Sequence, residues 1–256
     1  MNQQPVRFIQ KKSQLSSQEK DDLLELIHIC CLHEGLRLSC PFEPDTFYYL
    51  FYQKQDGFLH LISAAAILPY DDTLAECTAF THPDFRRQSC FFALLDEILA
   101  DFQETDLLFP LSNETTDGAA VLEHLGAELQ SSEYAMELML DDTAFTAPLP
   151  DFFLKPCSQS SKGTTLQMFQ CNGLLLGSCC LTPVGKDSYC LHHVEISEAY
   201  RGLGFGSVMM NLLRSYLVRQ NVRRLTLQVS GDNAPALALY KKTGFRITET
   251  LSYYLY

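Results

Sequence analysis

Tyr200-Arg201-Gly202-Leu203-Gly204-Phe205-Gly206-Ser207 is the segment of this chain whose residue types most directly offer chemistry. Glycine turns tightly and leaves backbone N–H groups uncovered by a Cβ. Where such a run opens a helix, the free amides add to the positive end of the helix dipole and make a cradle for an anion such as a pyrophosphate. The run lacks Gly-Lys-Ser/Thr, so it is not a nucleotide P-loop. It also lacks the third glycine of a dinucleotide fingerprint. A plain structural turn would use the same glycines. One strand further on lies Asn233-Ala234-Pro235-Ala236-Leu237-Ala238-Leu239-Tyr240-Lys241-Lys242-Thr243-Gly244-Phe245. Here Asn233 suits a helix N-cap, and Tyr240, on an L-A-L-Y helix, also suits a core position.

Taken together, R-x-x-G-x-G on a strand-to-helix turn followed by N-x-x-A-x-x-L-Y-x-x-x-G-F resembles the GNAT acetyltransferase superfamily over about a quarter of the chain. The resemblance implies that Arg201 and the amides of Gly202, Leu203, Gly204, Phe205, Gly206 and Ser207 hold the pyrophosphate of acetyl-coenzyme A. It implies that the amides of Val194 and Ile196 pair with the pantetheine arm and polarise the thioester carbonyl. It implies that Asn233 touches the coenzyme and that Tyr240 is the general acid. A phenol suits that place, because the departing thiolate needs a proton and a phenol of pKa about 10 can supply it when the environment favours transfer.

For the base, His192 stands where arylalkylamine-type acetyltransferases resemble this chain with a histidine, and Glu195 is a second candidate. On a regular strand 190, 192, 194 and 196 share one face and 191, 193 and 195 the other, which sets His192 and Glu195 apart. Gln228 and Cys190 stand where ribosomal-protein-type and histone-type enzymes carry glutamates. A strand histidine bonded to backbone or solvent is the alternative for His192.

These groups need strands and helices to hold them. The pattern predicts strands at 164–170, 174–181 and 189–196, a helix over 205–218, a strand at 224–230, a helix over 235–242 and terminal strand material at 245–256. The first half shows the same order, with a helix over 17–32, strands at 58–68 and 74–81, a helix over 91–102, a strand at 106–111, a helix over 118–124 and a strand at 134–140; residues 45–52 are ambiguous. In it, Asp84-Phe85-Arg86-Arg87-Gln88-Ser89-Cys90-Phe91 resembles the glycine turn, with Ser89 and Phe91 where Gly204 and Gly206 stand, and Leu122 replaces Tyr240. The landmarks keep step: 244 − 126 = 118 and 230 − 112 = 118 for Gly and Ser, and 201 − 86 = 115 for Arg. The expectation is an α/β fold with mixed sheets made of two tandem GNAT-like domains. Residues 1–143 form a degenerate copy in which Phe91 fills the pyrophosphate space. Residues 144–256 form the catalytic domain, with the boundary in the proline-bearing stretch Asp141–Pro150.

Composition agrees with this. The chain has 256 residues, of which 46% are hydrophobic and 20% charged, enough apolar material for a sizeable core. A net charge of −12, with 19 basic against 31 acidic residues, argues against nucleic-acid binding and suits a cationic acceptor as well as plain solubility. The ten cysteines show neither a C-x-x-C nor a disulfide framework, which points to reduced thiols and a cytoplasmic setting. No signal peptide or membrane span is legible, so no membrane partner is expected. The expected activity is transfer of an acetyl group from acetyl-CoA, as cosubstrate, to a primary amine of a small molecule or protein by direct attack in a ternary complex, with no metal. A non-catalytic coenzyme-binding module and a transferase for longer acyl groups are the rivals. The acceptor, the acyl length and the oligomeric state stay open.

Overall fold

The computed structural model describes residues 5–35, 39–55, 57–113, 115–140, 149–160 and 163–256. In chain order the elements are β1 (Val6–Lys12), α1 (Ser17–Glu34), β2 (Phe47–Gln55), β3 (Phe58–Pro69), β4 (Leu74–Thr81), α2 (Cys90–Asp101), β5 (Asp106–Ser112), α3 (Thr116–Leu125) and β6 (Glu128–Met139). There follow β7 (Phe152–Ser160), β8 (Gly163–Gln170), β9 (Leu175–Pro183), β10 (Ser188–Ile196), α4 (Phe205–Val218), β11 (Arg224–Ser230), α5 (Ala234–Lys242) and β12 (Arg246–Leu255). The chain divides into two compact units, one of residues 1–131 with 251–256 and one of residues 132–250. The boundary expected between 143 and 144 falls among residues 141–148, which lie outside the described residues. No helix among the described residues is long and apolar enough to cross a membrane.

In the first unit the strand order is β1-β2-β3-β4-β5 with the end of β12 at the edge, antiparallel throughout except for the parallel pair β4–β5. Its helix α1 starts where Ser16 and Glu19 close a reciprocal capping box and stops at Gly35 in the left-handed region. Leu23, Leu26, Ile27 and Cys30, spaced three and four apart, form its buried stripe.

The second unit has the order β6-β11-β10-β9-β8-β7, again antiparallel except for the parallel pair β10–β11. β7 was not foreseen: Lys155, Pro156 and Ser158 are exposed on it, and so little alternation is left to read. On α4 the stack Met209, Leu213 and Leu217 is fully buried, while Val208, Leu212 and Tyr216 are only partly so. The buried stack packs with Leu166, Cys179, Leu181 and Leu191 of the sheet. Strand alternation therefore sends Thr165, Cys180, Thr182 and His192 to the other face. The two faces of this sheet have different chemistry, apolar toward α4 and polar away from it.

Candidate active site

β10 ends at Ile196 and passes through a 3₁₀ turn, Glu198–Tyr200, into Arg201 and then α4. Gly202 and Gly204 have φ of +75° and +85°, the left-handed region in which a side chain is strained. Gly206 is needed for another reason: a Cβ there would stand 3.0 Å from Leu239 of α5, so the glycine sets how closely the two helices approach. The amides of residues 202–206 have no hydrogen-bond partner among the described residues, whereas that of Ser207 donates to Gly204 O at 3.0 Å. Ser207 thus drops out of the expected set of free donors, and the rest of the cradle stands open at the helix N-terminus. Arg201 folds back along the strand end, its Nε donating to Ile196 O at 2.9 Å and its Nη2 lying 3.7 Å from Glu195 Oε1.

Beside the cradle the sheet splits. β10 and β11 pair in parallel only from Ser188↔Arg224 to Cys190↔Thr226. Past that point β10 carries a bulge: His192 faces Cys180 and Glu195 faces Ser178, so His193 and Val194 share the one place opposite Cys179. His193 supplies the turn with φ +50°. A Cβ on Gly177 would lie 2.3 Å from Glu195 O, so that carbonyl is turned onto β9. Ser197 N likewise donates to Leu176 O on β9, at 2.9 Å. Alternation along the strand then turns the N–H groups of Val194 and Ile196 to the opposite edge, into the gap vacated by β11.

Tyr240 is buried on α5, 7% exposed, with its ring 5.5 Å from that of Phe245. Burial, and secondarily the nearby Cys179 thiol, raises its phenol above the ordinary 10. Its hydroxyl has no hydrogen-bond partner among the described residues, so its proton is not committed to the protein. Asn233 caps α5, its Oδ1 accepting from Ala236 N at 3.2 Å. His192 lies on the polar face, Nε2 2.8 Å from Thr182 Oγ1 and Nδ1 2.6 Å from His193 Nδ1. Burial first, and then the His193 charge, lowers its pKa below the ordinary 6.5.

One expectation is overturned here. His192 and Glu195 are not on opposite faces: their partners Cys180 and Ser178 are two apart on β9, so the pair shares the polar face. The bulge inserts the extra residue that resets the alternation. Glu195 nevertheless leans to Arg201, while His192 leans to Thr182. Thr182, His193 and Gly177 were not singled out from sequence as site residues. An isolated glycine within a strand pattern, as at Gly177, is the signal that flags a bulge.

The description "Acetyltransferase (GNAT) family" matches residues 131–245. The segment that matches holds the glycine cradle, Asn233 and Tyr240. Mycothiol acetyltransferases of Corynebacterium glutamicum strain R and Corynebacterium efficiens are 37% and 39% identical to it over 60 and 59 residues, 23% of this chain in each case. The chain spans 20% of the length of either relative. Among solved structures, a GCN5-related N-acetyltransferase from Sphaerobacter thermophilus matches 97% of this chain and 95% of its own, with TM-score 0.71 and 13% identity. A tandem GNAT protein from the clavulanic acid biosynthesis pathway covers 98% of both chains, with TM-score 0.69 and 14% identity. At such identities these structures speak to the fold, which is a pair of GNAT-like domains.

The first GNAT-like unit repeats the backbone of the second with different side chains. Arg87 and Ser89 take φ of +59°, as Gly202 and Gly204 take positive values 115 residues on. Arg86 Nε donates to Thr81 O at 3.1 Å, just as Arg201 does to Ile196. β4 and β5 pair only from Leu74↔Asp106 to Glu76↔Leu108 and then part. Phe91, where the second unit has Gly206, leans on Phe109 and lines a cavity of about 510 Å³. What changes is charge. Arg86 is paired with Glu34 at 2.5 Å and Asp117 at 3.5 Å, and both carboxylates line the cavity. That guanidinium is already neutralised, which sets the first unit against a pyrophosphate.

Proposed function

We propose that the second unit is an acetyl-CoA-dependent N-acetyltransferase acting on a primary amine by direct attack in a ternary complex. The observation that carries the reading is the gap between β10 and β11, with the Val194 and Ile196 amides turned into it beside the open cradle. Free donors at a helix N-terminus fit a pyrophosphate, and an unpaired strand edge fits the amide-bearing pantetheine arm. Arg201 and the amides of residues 202–206 hold the diphosphate, and Val194 N–H donates to the thioester carbonyl, where negative charge grows as the amine attacks. Tyr240, kept protonated by its burial, gives its proton to the departing thiolate. His192 takes the proton shed by the amine, directly or through water. Its lowered pKa keeps the imidazole neutral, as a base must be, near pH 7. The two groups lie on opposite faces of β9–β10: Tyr240 beside Cys179 and His192 beside Cys180.

The test is turnover of acetyl-CoA against a panel of small amines and N-terminal peptides, read as free thiol and as the acetylated product mass. Amine-dependent release of both supports the reading. Coenzyme binding with no thiol release across the panel would make the unit a binding module and defeat it. Faster turnover with a longer acyl-CoA would reassign the donor.

A further inference from the structure

The bulge that opens the gap also gathers metal-ligating side chains on the polar face. Cys180 and His192 are cross-strand partners. A regular strand would send His193 to the opposite face, but its left-handed backbone swings it back, so that the two imidazoles lie 4.9 Å apart at 72°. The Cys180 sulfur and a ring nitrogen from each histidine all lie within 4.8 Å of one another. The 2.6 Å between His192 Nδ1 and His193 Nδ1 is a hydrogen bond in which one imidazole donates and the other accepts, and with both rings in the Nε2–H tautomer the same two nitrogens converge as ligands. Groups behind the ligands hold them in place. Thr182 Oγ1 engages Nε2 of His192 at 2.8 Å and so directs Nδ1 toward the cluster, and Thr165 Oγ1 lies 3.5 Å from Cys180 Sγ.

We propose that Cys180, His192 and His193 form a binding site for a divalent cation of the Zn²⁺ class, with a fourth position open to solvent; a cation held through His192 Nδ1 excludes that imidazole as the base, so the metal-bound and the acetylating forms are alternative states of the face. One thiolate with two imidazoles is a donor set for zinc, and not for magnesium or calcium, which need oxygens. With metal–sulfur and metal–nitrogen lengths of about 2.3 and 2.0–2.1 Å, tetrahedral geometry puts the ligand atoms roughly 3.3–3.6 Å apart. The spacing here, from 2.6 Å to at most 4.8 Å, brackets that range, so small ring rotations complete the site. Exposure of His193 beside half-buried Cys180 and His192 leaves an entry path from solvent.

Cobalt(II), a spectroscopic stand-in for zinc, tests this without any enzymatic assay, so the result stands apart from acetyl transfer. The titration uses the full chain with Cys157→Ser and Cys171→Ser, which removes two exposed thiols. Cobalt should give a thiolate charge-transfer band and intense visible d–d bands, saturating at one equivalent and bleached by Zn²⁺. Cys180→Ser should remove the charge-transfer band. His193→Asn, whose side chain tolerates the left-handed backbone, should remove the d–d intensity even if the serine variant fails to fold. Thr182→Val should weaken binding about 10–100-fold through loss of the orienting contact. Absence of the charge-transfer band in the parent, or its persistence in Cys180→Ser, overturns the proposal.

Discussion

Gly177→Ala is the substitution that most directly probes the geometry of the gap. A Cβ at this position would lie 2.3 Å from Glu195 O, 3.0 Å from Ile196 Cδ1 and 3.0 Å from Met209 Cε. Ordinary contact begins near 3.4 Å, so β9 and β10 must separate locally by about 3.4 − 2.3 = 1.1 Å, and the obstacle is backbone that cannot rotate away. Overpacking of this kind costs about 1–3 kcal/mol, set against a gain of roughly 0.5–1 kcal/mol from replacing a strand glycine. The net expectation is destabilisation of about 1–2 kcal/mol, read as an earlier urea midpoint with unchanged slope. The functional effect is the larger one. The displaced carbonyl belongs to the residue between Val194 and Ile196, and a misplacement of about 1 Å costs on the order of 10²-fold in rate. Acetyl transfer should therefore fall by about that factor, while the folded fraction at assay temperature hardly changes. Gly185→Ala, where a Cβ would meet only Ser188 at 3.5 Å, is the control and should behave as the parent does. Parental stability and turnover in Gly177→Ala would refute the reasoning, because Glu195 O could not then be turned against β9.

Tyr240→Phe should lower turnover about 10²–10⁴-fold with coenzyme affinity unchanged, since the buried ring keeps its packing and only the proton is lost; equal turnover in the calorimetrically competent variant would make Tyr240 a core residue. For His192 the sign follows from its lowered pKa: the neutral base is present above that value, so kcat/KM should rise with pH through an inflection below 6.5, and His192→Gln should erase it. An inflection that survives in His192→Gln but disappears in Glu195→Gln would move the role to Glu195. Isothermal titration should find one coenzyme A site per chain, removed by Gly204→Glu, because Glu34 and Asp117 neutralise Arg86 in the first unit; a second site of similar affinity in the first unit would show that those carboxylates do not exclude the diphosphate.

The elements around the site were legible because their signals are local. Helix 205–218 and strand 224–230 were delimited by apolar spacing and by the glycine turn before α4, and the structure has the same limits. Asn233 as a cap and the left-handed need at Gly202 and Gly204 likewise follow from a few contiguous residues. The first unit shows where that reasoning stops. Arg87 and Ser89 adopt the same positive φ without glycine, at a cost of roughly 1–2 kcal/mol each, which surrounding structure must offset. A residue-type pattern alone registers the missing glycines and not the retained backbone. Residues 45–52 stayed ambiguous because β2 carries an unbroken buried run from Tyr48 to Gln53, so the alternation that marks a half-exposed strand is absent.

By itself the sequence determined the cradle, the capped helices, the phenol in its motif and the repetition of the whole arrangement, since each depends on neighbours within a helical turn or on spacing along one chain. Only the tertiary structure decided which groups share a face and which charges are already spent. The register of β10 on β9 slips at His193, and that single extra residue brings His192 and Glu195 to one face, joins His193 to His192 and Cys180, and turns two amides into the gap. Arg86 and Arg201 make the same backbone bond, yet Glu34, 52 positions from Arg86, neutralises the first of them. Strand register and ion pairing are long-range relations, settled by the closest approach of backbones and by the low-dielectric surroundings of a charge, and neither is written in the residues next to it in the chain.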